Sequence, residues 1–282
     1  MKRFKEIHQQ IKKEAVHIKK HFFEKKIRVL GISGSMRSVN DYAKENSNSE
    51  WLLNKSLEEA KKHGAEIQKL CLREYTIEPC RACYSTSNTH CHYPCSCYPK
   101  GKDGDDMTNI LYDKVMWADI MIFATPVNNF KISSMMSLFV DRLISMDGSL
   151  YPADPHNPKD KELNIKHAQF VEKNATEEFG SGYLKRLTGK IGGIIVTGHE
   201  VGASMVISSL YLTLNHYGML FPPYSNMYAI NTVCEGTYKD KKVLTSPCYE
   251  KEARMLARNL MIAAKMAKSN PQIWWQYDES AD

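Results

Sequence analysis

The chain has 282 residues, 43% of them apolar and 25% charged, enough to bury a full hydrophobic core. Charges interrupt every apolar stretch well before the roughly 18 residues that a membrane-crossing helix needs. The formal charge of +6 is concentrated in residues 1–28, where ten Lys/Arg face Glu6, Glu14 and Glu24, so the rest of the chain lacks the basic body of a nucleic-acid-binding protein.

At the N-terminus, Phe4, Ile7, Ile11, Ala15, Ile18 and Phe22 recur at steps of three and four, which predicts an amphipathic helix over 3–24 with a Lys-rich outer face. Residues 1–25 read as an appendage that packs on the main domain or on a sister subunit, a basic membrane-surface anchor being the alternative. No unbroken apolar run of a secretory signal follows the basic start, so the cytoplasm is the expected compartment.

From residue 26 onward short apolar runs alternate with helical patterns. Strands are predicted at 27–32, 66–72, 119–124, 191–197 and 225–230, and helices at 50–63, 105–117, 133–145, 203–217 and 249–268. This alternation points to one α/β domain over 26–270, a doubly wound five-stranded parallel sheet with helices on both faces. Connections at 74–104 and 146–185 are too long for turns and read as lids, interfaces or insertions, and 271–282 as a tail.

The first strand opens into Gly31-Ile32-Ser33-Gly34-Ser35-Met36-Arg37, a loop of small residues and hydroxyls ahead of a helix. Ligands bind at the carboxyl edge of such sheets, and backbone N–H groups, serine hydroxyls and the Arg37 guanidinium together favour a dianion. Neither a nucleotide-hydrolase P-loop nor the dinucleotide Gly-x-Gly-x-x-Gly fingerprint is present, and alone the loop also reads as a structural turn. The third predicted strand runs into Thr125-Pro126-Val127-Asn128-Asn129-Phe130 and then a helix with Met135, Phe139 and Asp141-Arg142. The fourth runs into Gly198-His199-Glu200-Val201-Gly202.

Taken in this order, the three loops resemble those of the NAD(P)H-dependent FMN reductases, flavodoxin-like flavoproteins, over about residues 26–268. The resemblance implies strand order 2-1-3-4-5 and an FMN phosphate held by Ser33, Ser35, Met36 and Arg37. A further hydroxyl at the start of the next helix is implied as well, with Ser47, Asn48 and Ser49 as candidates. It places Thr125, Pro126, Val127, Asn128, Asn129 and Phe130 along the flavin ring, and Thr197, Gly198 and Gly202 beside flavin and nicotinamide. His199 takes the catalytic role, bonding the ring's carbonyl edge or stabilising negative charge on reduced flavin, with a solvated helix cap as the alternative. The sequence departs from the family in an insertion at 39–48, and Asn129 stands where an aromatic residue is common. Also implied are NADH or NADPH as donor, a small-molecule or protein acceptor, and a homodimer or homotetramer.

Five of the eight cysteines fall between Cys80 and Cys97, a crowding typical of metal ligation or redox thiols. Followed by Asp105-Asp106-Met107, whose carboxylates can cap a helix, they resemble the cysteine run of iron–sulfur flavoproteins in the same superfamily, with wider spacing. Cys80, Cys83, Cys91 and Cys95 are therefore candidate cluster ligands; zinc, or thiols that are free or disulfide-linked, are the alternatives. Cys71 reads as a buried small hydrophobe in the second strand. The leading expectation is an FMN-dependent NAD(P)H oxidoreductase. The alternatives are an iron–sulfur flavoprotein-type electron-transfer module and a redox or metal sensor without cofactor.

Overall fold

A computed structural model describes residues 1–40, 44–85, 91–101, 104–198, 202–231 and 241–270. Five parallel strands, β1 (Arg28–Ser33), β2 (Glu66–Cys71), β3 (Ile120–Asn128), β5 (Ile191–Gly198) and β6 (Asn226–Ile230), lie in the order β2-β1-β3-β5-β6. The short β4 (Lys131–Ile132) folds back antiparallel on β3. Because β1, β3 and β5 are covered on both faces, they are continuous apolar runs and not alternating ones.

Successive residues of these strands feed opposite faces. Leu30, Ile32, Met121, Phe123, Ile194 and Val196 pack beneath α3 (Tyr112–Trp117), α4 (Ser134–Arg142) and α6 (Ala203–His216). Val29, Ile122 and Ile195 face α2 (Asn48–Lys62) and α8 (Pro247–Ser269), meeting Leu53, Leu256 and Leu260. The result is a flavodoxin-like three-layer α/β fold, with the expected order of parallel strands and β4 added to it. Among the described residues no helix is long and apolar enough to cross a membrane.

Two expectations need correction. Thr125–Asn128, read as loop, continues β3: Thr125 and Pro126 pair with Val196 and Thr197 of β5, then Val127 and Asn128 with Ile132 and Lys131. The connection 146–185 contains a further helix, α5 (Lys161–Asn174), whose N-cap Asp160 accepts from the Leu163 N–H at 2.9 Å.

Its buried side carries Asn164, His167, Ala168 and Val171. Against it lies α1 (Lys2–Phe23), which buries Ile7, Ile11, Ala15 and Ile18 with Leu150, Val171 and Leu184, so the N-terminal helix packs on its own chain. Phe4 stacks on the His167 ring at 5.0 Å.

A bidentate ion pair fastens this helix. Arg186, wholly buried, donates through Nε and Nη2 to the two carboxylate oxygens of Glu14 at 2.8 and 2.9 Å, and its guanidinium lies 4.0 Å from the Tyr93 ring centre. Nearer its C-terminus, Asp119 at the start of β3 accepts from Lys268 of α8 at 2.9 Å, and the His21 Nε2 stands 3.2 Å from the same carboxylate.

Candidate functional site

At the carboxyl ends of β1, β3 and β5 the sheet opens into a cleft of ≈ 230 Å³. The loop after β1 contributes Ser35, Met36 and Arg37, and the start of α2 contributes Ser47 and Asn48. The end of β3 supplies Pro126, Val127 and Asn128, β5 supplies Thr197 and Gly198, and Leu244 comes from α7 (Lys241–Leu244).

Small-residue chemistry locks these segments together. The Gly34 N–H donates to the Ala124 carbonyl at 2.8 Å, and the Gly34 carbonyl accepts from Ser133 Oγ at 2.8 Å. Ser133 is also the N-cap of α4, and its hydroxyl lies 3.0 Å from Thr125 Oγ1, which pins the β1 loop to the end of β3. Within the loop, the Arg37 N–H donates to Ser35 Oγ at 3.2 Å. Ser47 caps α2 by accepting from the Glu50 N–H at 3.2 Å and is hydrogen-bonded to Ser49 Oγ at 3.0 Å.

Beside this cap lies a buried charge pair. Glu50, almost wholly buried, accepts from Lys69 at 2.9 Å and from Arg73 at 2.7 Å, and Arg73 reaches on to the Ser35 carbonyl at 3.4 Å. Burial pushes the Glu50 carboxyl up, yet hydrogen bonds from Arg73 and Lys69 hold it below the ordinary carboxylate range, so it stays ionised. Cys71 donates its thiol to the same carboxylate at 3.6 Å and is pushed up to about 11 by burial, an inert neutral thiol as its buried position in β2 requires.

Opposite, β3 passes into β4 through Asn129 (φ 49°) and Phe130 (φ 64°), both left-handed. The turn rests on Gly202 at the start of α6: a Cβ on Gly202 would stand 2.7 Å from the Phe130 Cα, leaving room for glycine alone.

Of the expected flavin contacts, Ser35, Met36, Arg37, Ser47, Asn48, Pro126, Val127, Asn128, Thr197 and Gly198 share the cleft. Six others do not line it. Ser33 and Ser49 are buried, Ser33 with its Oγ lacking a hydrogen-bond partner among the described residues. Thr125 is committed to Ser133, Asn129 and Phe130 form the turn, and Gly202 supports that turn. The expected catalytic residue, His199, lies outside the described residues. Arg73 and Leu244 were not signalled in advance: Arg73 sits in the 3-10 turn after β2, far from any of the three loops in sequence, and α7 is too short to show a period.

A larger cavity of ≈ 350 Å³ lies at the opposite edge of the sheet, between α1 and the starts of β1, β3 and β5. Its charges are already spent on the fold: Arg28 pairs with Glu24 at 2.6 Å, and Lys190 donates to the Met116 carbonyl at 3.1 Å and to that of Ala118. Burial pushes the Lys190 amine down to about 8. Ligands of doubly wound sheets sit at the carboxyl edge, and the smaller cleft is the one placed there.

The expected cysteine set does not close. Among the described residues no group of three or more His, Cys, Asp or Glu side chains is placed to hold a metal ion. The thiols influence one another: the neighbouring sulfurs and burial push Cys83 and Cys95 up, while Cys91 is drawn down to about 7 and Cys97, outside the expected set, is drawn down as well. The Cys80 Sγ accepts from the N–H of Ala82, a left-handed residue (φ 47°) that turns the chain between Cys80 and Cys83. Asp105 does act as expected, accepting from the Thr108 N–H at 3.1 Å, and it also takes both Nη groups of buried Arg142 at 2.8 Å.

Known proteins place these features in a family. A crystal structure of RosB with bound intermediate 8-demethyl-8-formylriboflavin-5'-phosphate matches with a TM-score of 0.57 and 18% identity, over 87% of this chain and 81% of that one. A structure described as a flavone reductase matches with a TM-score of 0.50 and 18% identity, over 88% of this chain and 65% of that one. At such identities both speak for the fold alone. No curated protein matches the sequence. The family profile of NADPH-dependent FMN reductase, in contrast, matches residues 27–232, from the first strand to just past the last and through all three loops. The chain therefore belongs to the NADPH-dependent FMN reductase family.

Proposed function

We propose that the cleft holds FMN, with its phosphate against Ser35, Arg37 and Ser47 and its ring along Pro126, Val127 and Asn128. Bound there, FMN supplies two-electron chemistry, taking hydride from NADH or NADPH and passing electrons to a small-molecule or protein acceptor. The observation that carries this reading is the meeting of the Ser35–Arg37 loop, the capped N-terminus of α2 and the end of β3 at one carboxyl edge.

Each group has a physical task. The N-terminus of α2 and the Arg37 guanidinium attract a dianion, and the Glu50–Arg73 pair fixes the Ser35 carbonyl so that the loop is formed before the ligand arrives. Val127, packed 3.2 Å from where a Cβ on Gly198 would lie, keeps water from one side of the ring site. His199 remains the proposed partner of the ring's carbonyl edge.

The phosphate assignment is tested by titrating the protein with FMN and with riboflavin. Arg37→Ala is expected to weaken FMN binding about tenfold or more, the loss of one charge-assisted hydrogen bond of ~1.5–3 kcal/mol, and to leave riboflavin binding unchanged. If the unaltered protein binds the two equally, the phosphate does not sit in this loop.

A homo-oligomer is part of the same proposal. The cleft is smaller than the about 300–1,000 Å³ of a closed small-molecule site. Beside it α6 exposes Met205 and Leu212, each about two-thirds accessible (65% and 66%). A second copy seated on this face would cover both. Light scattering at micromolar concentration is expected to give a dimer or tetramer; a monomer with full FMN affinity would remove the idea. An electron-relay role with an iron–sulfur cluster lacks converging ligands among the described residues, and stoichiometric iron in purified protein would restore it.

A further inference from the structure

We propose that the ≈ 350 Å³ cavity at the amino edge of the sheet is the seat of the chain's own residues 271–282, with the Trp274–Trp275 pair covering its apolar wall. Nothing in this seat depends on the flavin reading, which concerns the opposite edge.

The wall suits an aromatic side chain better than a polar ligand. Ile18, Met116, Trp117 and Ala118 supply its apolar surface, and Met116 and Trp117 are only half-buried. The charged groups around them already hold partners: Glu24 accepts from Arg28 at 2.6 Å, Asp113 from Lys100 at 3.1 Å and Asp119 from Lys268 at 2.9 Å. What remains for an occupant to cover is the hydrocarbon and indole surface between these pairs, and a large amphipathic ring does that well.

Helix α8 delivers the segment to this place. Lys268, in its last turn, donates to the carbonyls of His21 and Glu24 at 3.3 and 3.2 Å and pairs with Asp119, and all three of those residues line the cavity. The described chain continues to Asn270, and residues 271–282 lie outside it. Four residues beyond Asn270 span up to about 14 Å when extended, so Trp274 and Trp275 are within reach of a cavity whose rim Lys268 already touches.

The composition of the segment matches both parts of the surface. Ile273, Trp274, Trp275 and Tyr277 put four large apolar or aromatic side chains into five positions, and Asp278, Glu279 and Asp282 follow them. On the outer face of α1, exposed Lys13 and Lys20 stand four residues before and three after His17, which lines the cavity, so a basic rim meets the acidic end. A tether this short gives an effective concentration in the millimolar range, which favours the chain's own segment over that of a second copy.

The test compares the full-length protein with the double variant Trp274→Ala/Trp275→Ala by thermal unfolding and by hydrogen–deuterium exchange, both without added flavin. The variant is expected to unfold about 5 °C lower. It should also exchange faster at residues 17–24 and 113–118, with exchange around the carboxyl-edge cleft unchanged. Trp274→Phe/Trp275→Phe should restore most of the loss. Unaltered exchange along those two segments, or new exposure confined to another face, would overturn the proposal. So would a dimer that the double variant loses together with a Tm that falls on dilution of the unaltered protein, a result that would seat the segment in a second copy.

Discussion

Replacing Gly202 with valine is expected to weaken FMN binding at least about tenfold and to slow NAD(P)H oxidation in parallel. A Cβ at this position would lie 2.7, 2.8 and 2.9 Å from the Cα, O and C of Phe130. Those are backbone atoms of a left-handed turn, and they cannot rotate aside as a side chain would. Relief has to come from displacing the turn, which carries Val127 and Asn128 out of the cleft with it. Overpacking of this kind costs about 1–3 kcal/mol, and nearly all of it should fall on the bound state, where the turn must be in place. Titration with FMN, alongside thermal unfolding of the apoprotein, measures both sides. An unchanged affinity with a large fall in apoprotein stability would mean that Gly202 matters for folding and not for the ligand.

Glu14→Ala should lower folding stability by about 3–5 kcal/mol in urea unfolding, a large part of what a domain of this size has in hand. Arg186 is fully buried, and without the carboxylate its guanidinium would keep, among the described residues, the carbonyls of Ser149 and Leu184 and its contacts with Tyr93 and Tyr151. An unpaired buried charge is far more costly than a missing contact. The matched control is Glu6→Ala: Glu6 pairs with Arg3 at 3.9 Å in the open, so its removal should change almost nothing. A double replacement, Glu14→Leu with Arg186→Leu, should recover much of the loss. If Glu14→Ala alone proves mild, the two tyrosine rings are carrying the cation.

The sheet was legible because burial on both faces forces β1, β3 and β5 to be apolar runs. Polar residues at structural stations hid the rest. Helix α5 presents Asn164 and His167 to the interior at helical spacing, with Asn164 donating to the Pro158 carbonyl at 2.8 Å and His167 stacking on Phe4, so an apolar period was never there to find. The end of β3 escaped for a related reason: Thr125, Pro126 and Asn128 carry loop chemistry, but β5 continues beside them and supplies the pairing. Within the site, motif order located ten of the residues that line the cleft, yet it did not separate cleft-lining positions from those that brace them. Thr125 and Gly202 look alike to a motif, whether they touch a ligand or hold up a neighbour. Only the Thr125–Ser133 bond and the closeness of Gly202 to Phe130 tell the two roles apart.

The seat of α1 imposes an order on folding. Everything that helix touches is made after it: Leu150, α5 and Arg186 from the middle of the chain, and Lys268 from α8. While the chain is being synthesised, Ile7, Ile11, Ala15 and Ile18 therefore wait as an oily stripe with no groove to enter. The β–α units can assemble one after another, but the helix made ahead of them docks late and spends the interval open to chaperones or to the same stripe on another nascent chain.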